Sequence, residues 1–292
     1  MLTRRQAIGV LAGAALSPTL ARATPSRVAA IDWAMFETAL ALGVVPIAAT
    51  ELKQFREIAI EPAVPESVAD LGLRGTPNYE LLRSAGPDLI LSSNFYEGQR
   101  GSLERIAPVF SAPVYLPGSP PYALAEDATL LLGKALGLEA KAVTLIDESN
   151  KEINALRISL SGLEKRRVYI ISIGDPRHFR AFGRDSMFGD VLSRLGLENA
   201  WQEDTSYSAA APVGLEALAN NPQARVIIIA PIPPEARWTL STSALWKALP
   251  MVAQNRVSII DPVNHFGALP VARRFARLAA QSMLSAQASA NG

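Results

Sequence analysis

Residues 121–165 read PYALAEDATLLLGKALGLEAKAVTLIDESNKEINALRISLSGLEK. The stretch is rich in Ala, Leu, Glu and Lys, spaces its apolar residues helically, and is interrupted only by Gly133, Gly137 and Gly162. This pattern predicts a long helical connector, bent near Gly137. The sequence on either side of it then decides the fold, because both flanks alternate short apolar runs with helical stretches.

Upstream, residues 27–31 read as a buried strand, 34–42 as a helix ended by Gly43, and 44–47 as the next strand. Pro77-Asn78 opens a short helix over 79–84, Gly86-Pro87-Asp88 breaks it, and 89–91 form a further strand. Downstream the plan repeats: a strand over 167–171, a helix over 186–195 ended by Gly196, a short helix over 215–219 closed by Asn221-Pro222, and a strand over 226–229. The offset between the strand-opening valines Val28 and Val168 nearly equals that between Glu80 and Glu216. The expected fold class is therefore α/β, with two similar α/β lobes joined by a single long backbone helix and a ligand cleft between them. Residues 24–120 would form the first lobe, 121–165 the connecting helix region and 166–292 the second lobe. A rigid helical connector permits only a small hinge motion, so the cleft should be largely preformed.

Composition narrows the class. With 292 residues, 49% hydrophobic and 19% charged, the chain can bury one or two cores and is not a disordered type. A formal charge of +1, from scattered Lys and Arg, does not suit a nucleic-acid binder. The first 23 residues carry Thr3-Arg4-Arg5-Gln6, a weakly apolar run over 7–16 and the triplet Ala21-Arg22-Ala23, the order of a twin-arginine export signal with its cleavage site. Cleavage there removes three arginines and no acid, which leaves a net charge of about −2. No stretch approaches the ~20 uninterrupted apolar residues of a membrane span, so the mature chain is expected to be soluble and periplasmic. The absence of cysteine rules out disulfides, thiolate metal sites, cysteine nucleophiles and a lipid-anchor cysteine, which suits free diffusion between two membranes.

No nucleophile elbow, P-loop or dinucleotide fingerprint is present, so no catalytic residue and no resident cofactor are expected. The two histidines, His178 and His265, have no cysteine or clustered carboxylates beside them and do not make a protein-built metal site. A metal that arrives wrapped in its own chelator needs only shape, aromatic walls and a few hydrogen bonds, for which an arginine fork is well suited.

Several strings, in a shared order, carry a resemblance. They are Ala39-Leu40-Ala41-Leu42-Gly43, Asp70-Leu71-Gly72-Leu73-Arg74, Pro77-Asn78-Tyr79-Glu80-Leu81-Leu82 and Arg105-Ile106-Ala107-Pro108. The second half adds Asp175-Pro176-Arg177-His178, Phe182-Gly183, Asn199-Ala200-Trp201-Gln202 and Leu245-Trp246-Lys247-Ala248-Leu249-Pro250. From about Arg27 onward the chain resembles the periplasmic ferric hydroxamate siderophore-binding proteins, helical-backbone receptors of ABC importers. The resemblance implies that Arg74 and Tyr96 hydrogen-bond an iron–hydroxamate centre, with Trp33 close to the same pocket. It also implies that the iron–siderophore is the ligand, that an inner-membrane permease is the partner, and that the receptor is a monomer.

This sequence departs from that pattern in the second lobe. Where relatives place tryptophans it has Tyr207-Ser208 and Asn264-His265-Phe266, a thinner and more polar wall that would change the preferred chelator. Arg180, if it faces the cleft, would favour an anionic, carboxylate-bearing siderophore. Glu80 and Glu216, one per lobe, match the acids with which such receptors dock onto permease arginines. The alternatives are the same fold carrying heme, cobalamin or a catecholate siderophore, an exported α/β hydrolase-like enzyme or deacetylase, and a structural envelope protein without a ligand-sized cleft.

Overall fold

The computed structural model describes residues 24–164, 166–203, 205 and 212–291. The export signal, Tyr207 and Ser208 lie outside the described residues.

Two five-stranded sheets account for the alternation in the sequence. In the first, β1 (Val28–Ala30) is central, with β2 (Ala48–Ala49) and β3 (Ala69–Asp70) on one side and β4 (Leu89–Ser92) and β5 (Val109–Ser111) on the other, all parallel. Their crossovers carry α1 (Trp33–Ala41), α2 (Leu52–Ile58), α3 (Tyr79–Ala85) and α4 (Arg100–Glu104), the last preceded by a 3₁₀ turn, Asn94–Gln99. Parallel strands are covered on both faces, and β1 and β4 are accordingly buried throughout. Asp32 and Asn78 cap α1 and α3 by accepting from the Met35 and Leu81 N–H groups, each at 2.9 Å.

The strand expected over 44–47 begins later. The Val44 N–H still bonds the Ala39 carbonyl and closes the end of α1, and the ladder starts only when the Ile47 N–H reaches the Val28 carbonyl.

The connector differs more. It is two helices, α5 (Pro121–Ala135) and α6 (Glu139–Ser159), folded back on one another. Gly137 takes φ +67°, a conformation open to glycine, and reverses the chain. Gly133 lets the helices touch, because a Cβ there would stand 2.5 Å from that of Ala142. At the far end the Tyr122 hydroxyl bonds Asn150 at 3.1 Å, and the Asn150 amide donates to Glu126 at 2.7 Å. The expected single long helix is thus a hairpin, and only α6 runs from its turn toward the second sheet.

That sheet centres on β6 (Val168–Ile173). A hairpin leads to β7 (His178–Ala181), which pairs in turn with β8 (Val213–Gly214), both antiparallel. On the other side β9 (Arg225–Ile229) and β10 (Val257–Ile260) are parallel. α7 (Met187–Arg194) follows β7, a 3₁₀ helix, Leu215–Asn220, precedes β9, and α8 (Pro234–Thr242), α9 (Ala244–Ala248) and α10 (Pro250–Ala253) fill the crossover to β10.

α11 (Leu269–Asn291) packs on α1, α5, α6, α7 and β10, and so touches both lobes and the connector. One apolar cluster consequently runs through Phe36 of α1, Leu132 of α5, Leu145 of α6, Phe188 of α7 and Phe275 of α11. Polar ties reinforce it. The Tyr115 hydroxyl donates to the Gly267 carbonyl at 2.6 Å, and the Glu37 Oε1 accepts from the Ala268 N–H at 2.6 Å and the Val271 N–H at 3.3 Å, at the start of α11. Glu61 pairs with both Arg274 and Arg277. Among the described residues no helix is long and apolar enough to cross a membrane.

Candidate functional site

In open parallel sheets, ligands bind outside the carboxyl ends of the strands, where the strand order reverses. In the first sheet that point lies between β1 and β4, and there the Ser93 hydroxyl bonds the Asp32 carboxylate at 2.9 Å. A cavity of about 380 Å³ opens at these ends. Asp32 follows β1, Glu51 follows β2, Arg74 and Gly75 follow β3, and Phe95 and Tyr96 follow β4; Phe266, after β10, closes it from the second lobe. Two larger recesses, of about 660 and 690 Å³, lie elsewhere, and neither brings an arginine to an aromatic wall.

Arg74 is held on three sides. Its Nε donates to Glu51 Oε2 at 2.7 Å and its backbone N–H to Glu51 Oε1 at 3.1 Å. Its guanidinium carbon lies 3.9 Å from the centroid of the Trp33 ring. The Gln99 amide, itself positioned by the Tyr79 hydroxyl, donates to the Arg74 carbonyl at 3.2 Å. Trp33 is only 3% exposed, and its indole N–H bonds the Thr50 carbonyl at 2.9 Å, so it lies behind Arg74 and does not line the cavity. Burial drives the Tyr96 phenol up to about 12, even though the Arg74 charge pulls it down. Tyr96 therefore remains a hydrogen-bond donor. Burial likewise raises Asp32 above its ordinary value, against the opposing pull of the Met35 N–H, Ser93 and Arg74.

The second-lobe residues do different things. Phe266 packs edge-on to Phe95 at 5.9 Å and Tyr115 at 6.1 Å, which makes one aromatic wall from both lobes. Asn264 is buried, and its side-chain oxygen accepts the Phe266 N–H at 3.0 Å, so it shapes the loop. His265 packs against Phe182 at 4.7 Å, and burial, aided by the Arg180 charge, pushes its pKa down to about 4. Arg180 itself is exposed on β7, on the opposite side of the strand from the buried Phe179 and Ala181. His178 is instead tied to Asp175 at 2.8 Å in the β6–β7 turn.

Glu80 and Glu216 stand far along the chain but in matching places. α3 precedes β4, which pairs parallel with β1; the 3₁₀ helix Leu215–Asn220 precedes β9, which pairs parallel with β6. The interval from Tyr79 to Leu89 equals that from Leu215 to Arg225, and each glutamate is exposed in the first turn.

The profile of the periplasmic binding protein family matches residues 28–263. The chain belongs to that family. The chain is 30% identical to the iron(3+)-hydroxamate-binding protein FhuD of Escherichia coli K12, across 95% of each chain. It is 25% identical to the Fe(3+)-citrate-binding protein YfmC of Bacillus subtilis 168, across 83% of this chain and 75% of that one. Among solved structures, the Fe3+–Desferal-bound siderophore-binding protein FhuD of Vibrio cholerae superposes with a TM-score of 0.83 at 27% identity, covering 89% of this chain and 98% of that one.

Of the residues singled out in the sequence, Arg74, Tyr96 and Phe266 line one cavity, with Trp33 beneath and His265 and Asn264 beside it. Asp32, Glu51 and Phe95 line it too and were missed. Phe95 adjoins Tyr96 and could have been included; the two acids resemble ordinary helix-start residues and carry no separate signal.

Proposed function

We propose that this protein is a periplasmic receptor that captures a ferric hydroxamate siderophore in the interlobe cleft and presents it to an inner-membrane ABC importer. One observation carries the reading: Arg74 and Tyr96 place hydrogen-bond donors at the strand ends of the first lobe, facing an aromatic wall completed by Phe266 of the second. Hydroxamate oxygens bound to iron keep partial negative charge and accept such bonds, while the organic arms of the chelator pack on the rings. The iron stays in its chelator as cargo. No covalent step is involved, and Tyr96, the one hydroxyl among the cavity's lining residues, is held protonated.

The apolar cluster shared by both lobes supports a small closure, since wide separation would expose Phe188 and Phe275. Release would follow when the permease engages both lobes through Glu80 and Glu216, whose equivalent placement suits a pseudo-symmetric transporter surface.

The test is a fluorescence titration of the mature protein with ferric hydroxamates, citrate-hydroxamates, catecholates, heme and cobalamin. Saturable quenching by a hydroxamate, absent in Arg74→Ala, is the expected result. Binding of heme or cobalamin with silence across the hydroxamates would overturn the cargo and leave the fold intact.

A further inference from the structure

We infer that Glu51 sets the charge of the chelate this cleft accepts, selecting neutral or cationic ferric hydroxamates over anionic ones, and that it does so while holding Arg74 in place. The inference rests on the siderophore reading above.

Glu51 occupies the left-handed region, φ 52° and ψ 42°, which is unfavourable for a residue with a Cβ. The surrounding chain enforces it. The Glu51 N–H bonds the Gly72 carbonyl at 2.8 Å, and Asp70 accepts from the Leu52 N–H at 3.1 Å and the Gly72 N–H at 2.9 Å, which clamps the ends of β2 and β3 together. The result is a carboxylate in the cavity lining, its side chain only 14% exposed, with both oxygens on Arg74.

This has an electrostatic consequence. Among the cavity's lining residues Arg74 is the one cation, and Glu51 is bonded to it before any ligand arrives; Asp32 adds a second carboxyl. Arg74 thus offers N–H donors without a surplus positive field. A ferric trihydroxamate has a neutral metal core, because three singly charged hydroxamates balance the iron, and it needs donors more than charge. A chelate with a free carboxylate, or a triscatecholate, would bring negative charge against Glu51 at low local dielectric. Arg180 lies outside this lining, near His265, and does not offset that arrangement at the iron-facing end.

One probe series isolates the effect: a linear ferric trihydroxamate whose terminal amine is free, acetylated or succinylated. The iron core is constant while the pendant group is cationic, neutral or anionic. Wild type should bind the ammonium form about tenfold more tightly than the succinylated form, and Glu51→Gln should reduce that ratio to about twofold. Glu51→Asp, which keeps the charge, should retain the wild-type order. Simple disordering of Arg74 would weaken all three forms alike and leave the ratio unmoved, and that outcome would overturn the inference. If Glu51→Gln does not fold, salt dependence in wild type decides: raising ionic strength should narrow the ratio, and an unchanged ratio sinks the idea. A wild-type protein that ignores all three probes removes the siderophore reading and this inference together, whereas binding of all three with equal affinity removes the inference alone.

Discussion

The Arg74 guanidinium rests on the face of Trp33, 3.9 Å from its centroid, while the indole N–H is anchored to the Thr50 carbonyl. The arginine that lines the cavity is therefore aimed by a tryptophan that does not line it. A partly desolvated cation–π contact is worth about 0.5–2 kcal/mol. Trp33→Leu should weaken ferric hydroxamate binding roughly 3- to 30-fold by calorimetry, and Trp33→Phe, which keeps a ring, should weaken it less. Equal effects of both would show that the aromatic face is irrelevant.

Removal of the donors should cost more. Charge-assisted hydrogen bonds contribute about 1.5–3 kcal/mol and neutral ones about 0.5–1.5 kcal/mol. Arg74→Ala should weaken binding on the order of 10- to 100-fold and Tyr96→Phe about 2- to 10-fold. Because burial holds Tyr96 near 12, its contribution should be constant across the neutral pH range; a loss of affinity on moving to mildly alkaline buffer in wild type, but not in Tyr96→Phe, would contradict this.

Charge reversal at both Glu80 and Glu216 should abolish siderophore-dependent growth on limiting iron and leave the affinity of the purified protein unchanged. Each single reversal should give an intermediate phenotype under the proposed two-point docking, which leaves one lobe's contact intact. Wild-type uptake by the double variant would remove these two residues from the docking surface.

Two buried groups set opposite pH dependences. His265 has a folded-state pKa of about 4, below its ordinary 6.5, so the unfolded chain binds the extra proton between these values and stability falls as pH drops through that window. Glu37 is raised to about 8 from 4.5, chiefly by burial, so its contribution is complete below 4.5 and is lost as pH rises through about 8. Of these two groups, only Glu37 contributes a slope above pH 6.5. Thermal melts of Glu37→Gln should therefore lack the decline that wild type shows from pH 6.5 to 8, and parallel curves for the two proteins would refute the assignment.

Most of the strands and helices were legible because punctuation falls where the physics needs it. Gly43, Gly86 and Gly196 end α1, α3 and α7 with positive φ, and the apolar runs at 27–31, 89–91, 167–171 and 226–229 form strands within a residue or two, whereas the run at 44–47 gives way to a strand that starts at Ala48. Gly137 shows the limit. A bend and a full reversal both call for glycine, and only the close approach of Gly133 to Ala142, a tertiary fact, distinguishes them. The site divided in the same way. Arg74, Tyr96 and Phe266 were visible through the resemblance, but Asp32 and Glu51 enter the cavity because β1, β2 and β3 end side by side, a long-range register that no local string encodes.

The position of α11 also bears on the order of synthesis. A nascent chain emerging from the ribosome can pair all ten strands once residue 260 is out, yet Phe275, Ala279 and Met283 fill the same apolar cluster as Phe36 and Ala39. The first lobe, though made first, would have to wait for Met283 before the face that packs on α11 is dry, whereas its other face, around Ile90 and Leu103, closes without α11. Cutting the chain before Phe275 should therefore harm the amino-terminal lobe as much as the carboxyl-terminal one.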